Sequence, residues 1–179
     1  MESRAKLLGH PVHQMLIPLP LGLLSGSVAF DVVHRVTGDD TWGTVTTATI
    51  AAGIVGGLLA APFGVVDWAA IPDGTRAKRI GSLHGLGNVA VLGLFGASWW
   101  LRHEKPQAMG TLPFGLSLAG MALAAGTGWL GGELVDRLGV GVDPGANLNA
   151  PSSLSDQPAE LTHGILEQAS ARPESIGRT

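Results

Sequence analysis

Four long stretches without charge constrain this chain more than any other feature. Residues 14–30, 41–66 and 106–132 contain no ionisable side chain, and residues 80–101 contain only His84. About 20 apolar residues rising ~1.5 Å each cover a hydrocarbon core of ~30 Å, so each stretch predicts one membrane span. The core helices of soluble bundles are seldom uncharged for so long. In lipid every backbone N–H and C=O must be satisfied within its own segment, and no ten-residue alternation of a barrel strand occurs. The spans are therefore expected to be helices. The first stretch also departs from a secretion signal: it carries Pro18 and Pro20 and ends at Asp31 and His34 with no small-x-small cleavage pattern. The expected fold is all-α: an integral membrane four-helix bundle over residues 1–142, with a polar, disordered C-terminal tail over 143–179.

The connections, near residues 37–41, 67–79 and 102–110, are short enough to make neighbouring helices antiparallel. Gly22/Gly26, Gly53/Gly57, Gly81/Gly85 and Gly128/Gly132 place small residues four apart on every helix. That spacing lets membrane helices approach closely, within one bundle or in a homo-oligomer. A short repeat is visible. Gly9-His10-Pro11-Val12-His13 opens the first helix much as Gly81-Ser82-Leu83-His84 opens the third, and Gly64-Val65-Val66-Asp67 closes the second much as Gly131-Gly132-Glu133 closes the fourth. Two hairpins related by a twofold axis along the membrane normal would produce such a pattern. Within the tail, residues 158–171 have the pattern of a surface helix, although a solvated coil suits the composition better.

Charge gives an orientation. Arg4, Lys6, Arg76, Lys78, Arg79 and Arg137 fall on the side that holds both termini, and Arg35, Arg102 and Lys105 fall opposite. Positive residues are retained on the cytoplasmic side, which predicts a cell (inner) membrane protein with both termini cytoplasmic. A net charge of −3 gives no electrostatic footprint for nucleic acid, so the lipid bilayer is the expected partner. The absence of cysteine excludes disulfides, thiolate metal sites, c-type haem attachment and cysteine-held iron–sulfur clusters within the chain.

His10, His13, Asp67, His84 and Glu133 all map to the end of the bundle that holds the termini, one or two from each helix. Ionisable groups at membrane depth cost roughly 2.5–3.5 kcal/mol at a helix centre and usually face the bundle interior. His10 and His13 stand three apart, so a helical first turn would put them on one face. Near helix N-termini the macrodipole disfavours imidazolium and keeps the ring neutral, as ligation requires. Imidazoles with carboxylates suit a non-haem metal ion, and facing histidines in a bundle hold haem b. His13 and His84 are the candidate cofactor-binding pair, with His10, Asp67 and Glu133 as further metal ligands or supporting groups. A histidine at a helix end is more often simply hydrogen-bonded, and a carboxylate there can serve as a cap. His34, Asp31 and His103 read as ordinary boundary residues, and Trp99 and Trp100 as part of an aromatic belt. No metalloprotease pair, phosphate loop, nucleophile elbow or dinucleotide fingerprint occurs, which argues against an autonomous hydrolase.

These residues resemble a bacterial membrane-protein family, domain of unknown function 2231. The resemblance lies in Gly9-His10-Pro11-Val12-His13, residues 18–22, residues 64–68 with Asp67, His84, and Gly128-Trp129-Leu130-Gly131-Gly132-Glu133-Leu134-Val135 followed by Gly139-Val140-Gly141-Val142. Gln14 stands after His13 where that family more often has proline. Members occur joined to Rieske-type or cytochrome-like domains, so the resemblance implies a membrane redox role. Lacking cysteine, this chain would need a separate redox protein as partner. The leading expectation is an electron-passing module that binds haem b or a non-haem metal ion. Its rivals are a cofactor-free scaffolding or partner-binding module and a proton or small-solute transporter using Asp67 and Glu133.

Overall fold

The computed structural model describes residues 1–155; residues 158–171, where a surface helix was weighed, and most of the tail lie outside the described residues. Four helices are long and apolar enough to cross a membrane: Val12–Thr37, Asp40–Ala70, Arg76–Arg102 and Thr111–Arg137. The all-α, four-span expectation holds. Length and apolarity make the helices, and local chemistry ends them. Gly38, at φ +71°, supplies the left-handed residue that stops the first span. Asp39 then caps the second by accepting from Thr41 N at 2.9 Å, and Thr75 caps the third by accepting from Lys78 N at 3.1 Å. Hydrogen bonding from Thr41 holds the Asp39 carboxyl below the usual carboxylate range. This cap is therefore complete above the carboxyl's unfolded pKa and is lost only as pH falls through the lowered folded value.

Two spans carry irregularities. The first is broken at Ile17 between Val12–Leu16 and Pro18–Thr37, because Pro18 and Pro20 have no N–H to give the preceding turn. The fourth widens to π geometry over Glu133–Arg137.

The first span packs along the second and the third along the fourth, giving two antiparallel hairpins. The second span also meets the third, and the first meets the fourth, so spans one and three lie diagonally across the bundle and run parallel. Between them sits an apolar layer of Leu24, Val28, Ile50, Val91 and Phe95, with Ile50 and Phe95 fully buried.

The two hairpins repeat one another in register. On the first and third spans, Leu24 and Phe95, Ser27 and Ser98, and Asp31 and Arg102 are all buried, and each pair stands 71 residues apart. On the second and fourth spans, Thr46 and Pro113, Ile50 and Ser117, Gly53 and Gly120, and Ala60 and Thr127 are all buried, each pair 67 apart. The repeat glimpsed in two short motifs thus runs the length of the buried faces.

The glycines divide into two groups. A Cβ at Gly53 would strike Leu24, one at Gly57 Leu92, and one at Gly120 the Phe95 ring, so these three let helices touch. Gly22, Gly85, Gly128 and Gly132 face open space, which corrects the expectation that every four-apart pair packs inside this bundle. Gly120→Ala should cost about 1–3 kcal/mol by overpacking Phe95, whose ring the new Cβ would approach to 2.8 Å. Gly96→Ala, into open space, should be near neutral; thermal unfolding in detergent separates the two.

Candidate functional site

His13 is the second residue of the first span and His84 lies about two turns inside the third, both at the bundle end that also holds Met1 and Gly139. Their rings face across the bundle with centroids 6.5 Å apart and planes at 87°. Each ring is pinned in the same way to the partner helix of its own hairpin. His13 Nδ1 is 3.0 Å from the Ala60 carbonyl, and His84 Nδ1 is 2.9 Å from the Thr127 carbonyl. A carbonyl oxygen only accepts, so Nδ1 is the protonated nitrogen in both rings, and a neutral ring then has an unprotonated Nε2. Four residues after each acceptor comes a glycine, Gly64 or Gly131, and a Cβ there would approach the imidazole to 2.8 Å or 3.1 Å. Glycine is what lets each ring lie against the opposing backbone.

The two Nε2 atoms differ in their surroundings. His84 Nε2 accepts from Asn88 Nδ2 at 3.1 Å, and Asn88 Oδ1 accepts from Thr127 Oγ1 at 2.9 Å. His13 Nε2 makes no such bond among the described residues.

The other three candidates have different roles. His10 precedes the first helix, in a two-residue strand, so it does not share a helical face with His13; its Nε2 is 3.2 Å from Ser153 Oγ. The Asp67 carboxylate accepts from Ser3 Oγ at 2.8 Å and Arg4 N at 2.7 Å, and thereby clasps the chain segment ahead of the first span. Glu133 does the equivalent for the second hairpin, meeting Arg76 Nη2 at 2.6 Å just as the third span begins. Among the described residues no group of three histidines and carboxylates is close enough to hold a metal ion. The five-residue cluster is thus resolved into an imidazole pair and two clasps, with His10 set apart.

At the opposite end lies a charged group that sequence reading left as boundary residues. Asp31, His34 and Arg102 are 3%, 2% and 5% exposed. Arg102 Nη1 approaches Asp31 Oδ2 at 2.9 Å, though not along a hydrogen-bonding direction, and Arg102 Nη2 donates to Ser98 Oγ at 3.1 Å. Arg35 Nη2 donates to the Gly110 carbonyl at 2.5 Å, and its guanidinium lies 4.2 Å over the Phe114 ring. A signal was present: Leu24, Ser27, Val28, Asp31 and His34 follow one helical stripe, as do Val91, Phe95, Ser98 and Arg102. His103, by contrast, stacks on Trp99 and Trp100, each 5.0 Å away.

Four spanning helices with polar groups gathered at both ends define an integral membrane protein. A family model described as predicted membrane protein (DUF2231) matches residues 9–144, and the chain belongs to that family. Comparison with curated proteins and with solved structures yields no match.

Removing the first clasp gives a test of these assignments. Asp67→Ala should expose the segment before the first span, raising the rate of tryptic cleavage at Arg4 and Lys6 roughly tenfold or more, since hydrogen bonds to a charged group carry ~1.5–3 kcal/mol. An unchanged rate would mean that Asp67 holds nothing.

Proposed function

We propose that this protein is a membrane redox module of the cytoplasmic membrane, with both termini cytoplasmic, in which His13 and His84 together ligate one iron. Haem b is the favoured group, and it would supply one-electron exchange with a separate redox protein. The observation carrying this reading is the facing imidazole pair, each ring oriented by a backbone carbonyl at Nδ1. Second-sphere bonds of that kind fix tautomer and ring direction in histidine-ligated metal sites.

The donor set fits haem b better than a non-haem ion. Two imidazoles from different helices are the donor set that would hold haem b, and the His13 and His84 ring centroids lie 6.5 Å apart. A non-haem ion would need further protein ligands, and Asp67 and Glu133 are engaged in clasps. When bound, the haem supplies one-electron chemistry; the chain's residues hold it, exclude water through the apolar layer behind the pair, and set its potential through the carbonyl bonds. Ligation through His84 would replace the Asn88 hydrogen bond.

That same bond favours a second reading, a cofactor-free partner-binding module, because it already satisfies His84 Nε2. Absorption spectroscopy with metal analysis separates the two. Protein purified in mild detergent from haem-replete cells should show a Soret band and about one iron per chain under the haem reading. His13→Ala and His84→Ala should each abolish the band while leaving the helical content intact. A folded protein without a Soret band and without stoichiometric metal contradicts the redox reading.

A further inference from the structure

The repeat along the buried faces gives Asp31 and Arg102 a particular relationship. They are equivalent positions of the two hairpins, 71 residues apart like Leu24 and Phe95 or Ser27 and Ser98, yet they carry opposite charges and meet each other across the bundle. The equivalent pairs on the core side of them, Leu24 with Phe95 and Ser27 with Ser98, are apolar or neutral polar. Two hairpins with their buried faces in the same register, each set with small, apolar or neutral polar residues, have the shape to pair with copies of themselves. Pairing the first hairpin with another first hairpin would bury Asp31 against Asp31. Pairing two second hairpins would bury Arg102 against Arg102. An uncompensated like-charged pair in a low-dielectric interior is strongly unfavourable, whereas the native combination places one cation on one anion.

From this we infer that the Asp31–Arg102 pair is the recognition element that makes hairpin pairing heterotypic: the face around Asp31 accepts an arginine-bearing second hairpin and rejects a second copy of itself. The pair then fixes the register in which spans one and three face each other, and so delivers His13 to His84 at the other end. This assignment does not depend on any cofactor. The surroundings agree with a role in specificity rather than in tight bonding. Asp31 Oδ2 lacks an aligned hydrogen bond despite its 2.9 Å approach to Arg102, and Asp31 Oδ1 is 3.8 Å from Arg35 Nε. Arg102 is oriented by Ser98 Oγ, which donates to the Pro113 carbonyl at 2.7 Å, so its direction is set from within its own hairpin. His34, in the turn after Asp31, approaches the exposed Asp40 at 3.8 Å.

The test uses the full chain with a protease site inserted between Asp73 and Gly74, in the exposed turn joining the hairpins, and a different tag at each terminus. A background of Arg35→Gln removes the cation beside Asp31. After folding and cleavage in mild detergent, the two halves should co-purify. Asp31→Arg alone or Arg102→Asp alone should reduce the retained partner roughly a hundredfold, as expected for an uncompensated buried charge. The exchange Asp31→Arg with Arg102→Asp should restore most of it. Where a single variant fails to fold, the double exchange still decides. In a third chain, Asp31→Leu with Arg102→Met, mixing of differently tagged batches should yield halves paired with their own kind as readily as with the other. Single variants that retain the partner, a double exchange no better than either single, or an apolar pair that keeps heterotypic selectivity would each overturn the inference.

Discussion

In a hydrocarbon medium helices gain nothing from hiding apolar side chains from one another, so a membrane bundle is held by shape and by the polar groups it buries. That constraint explains what the inner faces of these four helices carry. Glycines at 53, 57 and 120 let side chains of the facing helix seat against backbone, and further attachments include hydrogen bonds from side chains to carbonyls of a neighbouring span. His13 to Ala60, His84 to Thr127 and Ser98 to Pro113 are all of this kind. Each also satisfies a group that would otherwise be costly to bury.

These attachments lie mainly within the hairpins; between the hairpins the polar meetings come at the two ends. At the end with the termini the imidazoles of spans one and three face each other, and at the opposite end Asp31 meets Arg102. The layer from Leu24 to Phe95 separates them and contains no ionisable group. The imidazole pair is thereby bounded on one side by apolar packing. The clasps formed by Asp67 and Glu133 bind chain segments beside the pair.

Much of the fold was legible because lipid imposes one strong rule on sequence: a helix long enough and free of charge. The histidines were legible for the converse reason, as polar groups that recur near the start of alternate spans. What could not be read was pairing. Asp67 and Glu133 find their partners in Ser3, Arg4 and Arg76, near in space but far along the chain, and a carboxylate at a helix end looks the same whether it clasps a loop or awaits a metal. The acceptor carbonyls of Ala60 and Thr127 belong to residues whose side chains give no hint of the role. Asp31 and Arg102 lie close enough to span ends to pass for boundary residues, and only the register of the buried stripes exposes them as interior. His10 was misplaced because the helix begins at Val12, two residues beyond it.

The claim on which the functional reading rests is that both imidazoles are held by backbone carbonyls with Nδ1 protonated and Nε2 free of a proton. Side-chain ¹⁵N NMR of the histidine-labelled protein in nanodiscs at neutral pH, assigned by single His→Gln variants, measures this directly. The account predicts an Nδ1–H tautomer with a proton-free Nε2 for His13 and His84 alike. An Nε2–H tautomer at either position would mean that the carbonyl anchor is not made, and would contradict the account.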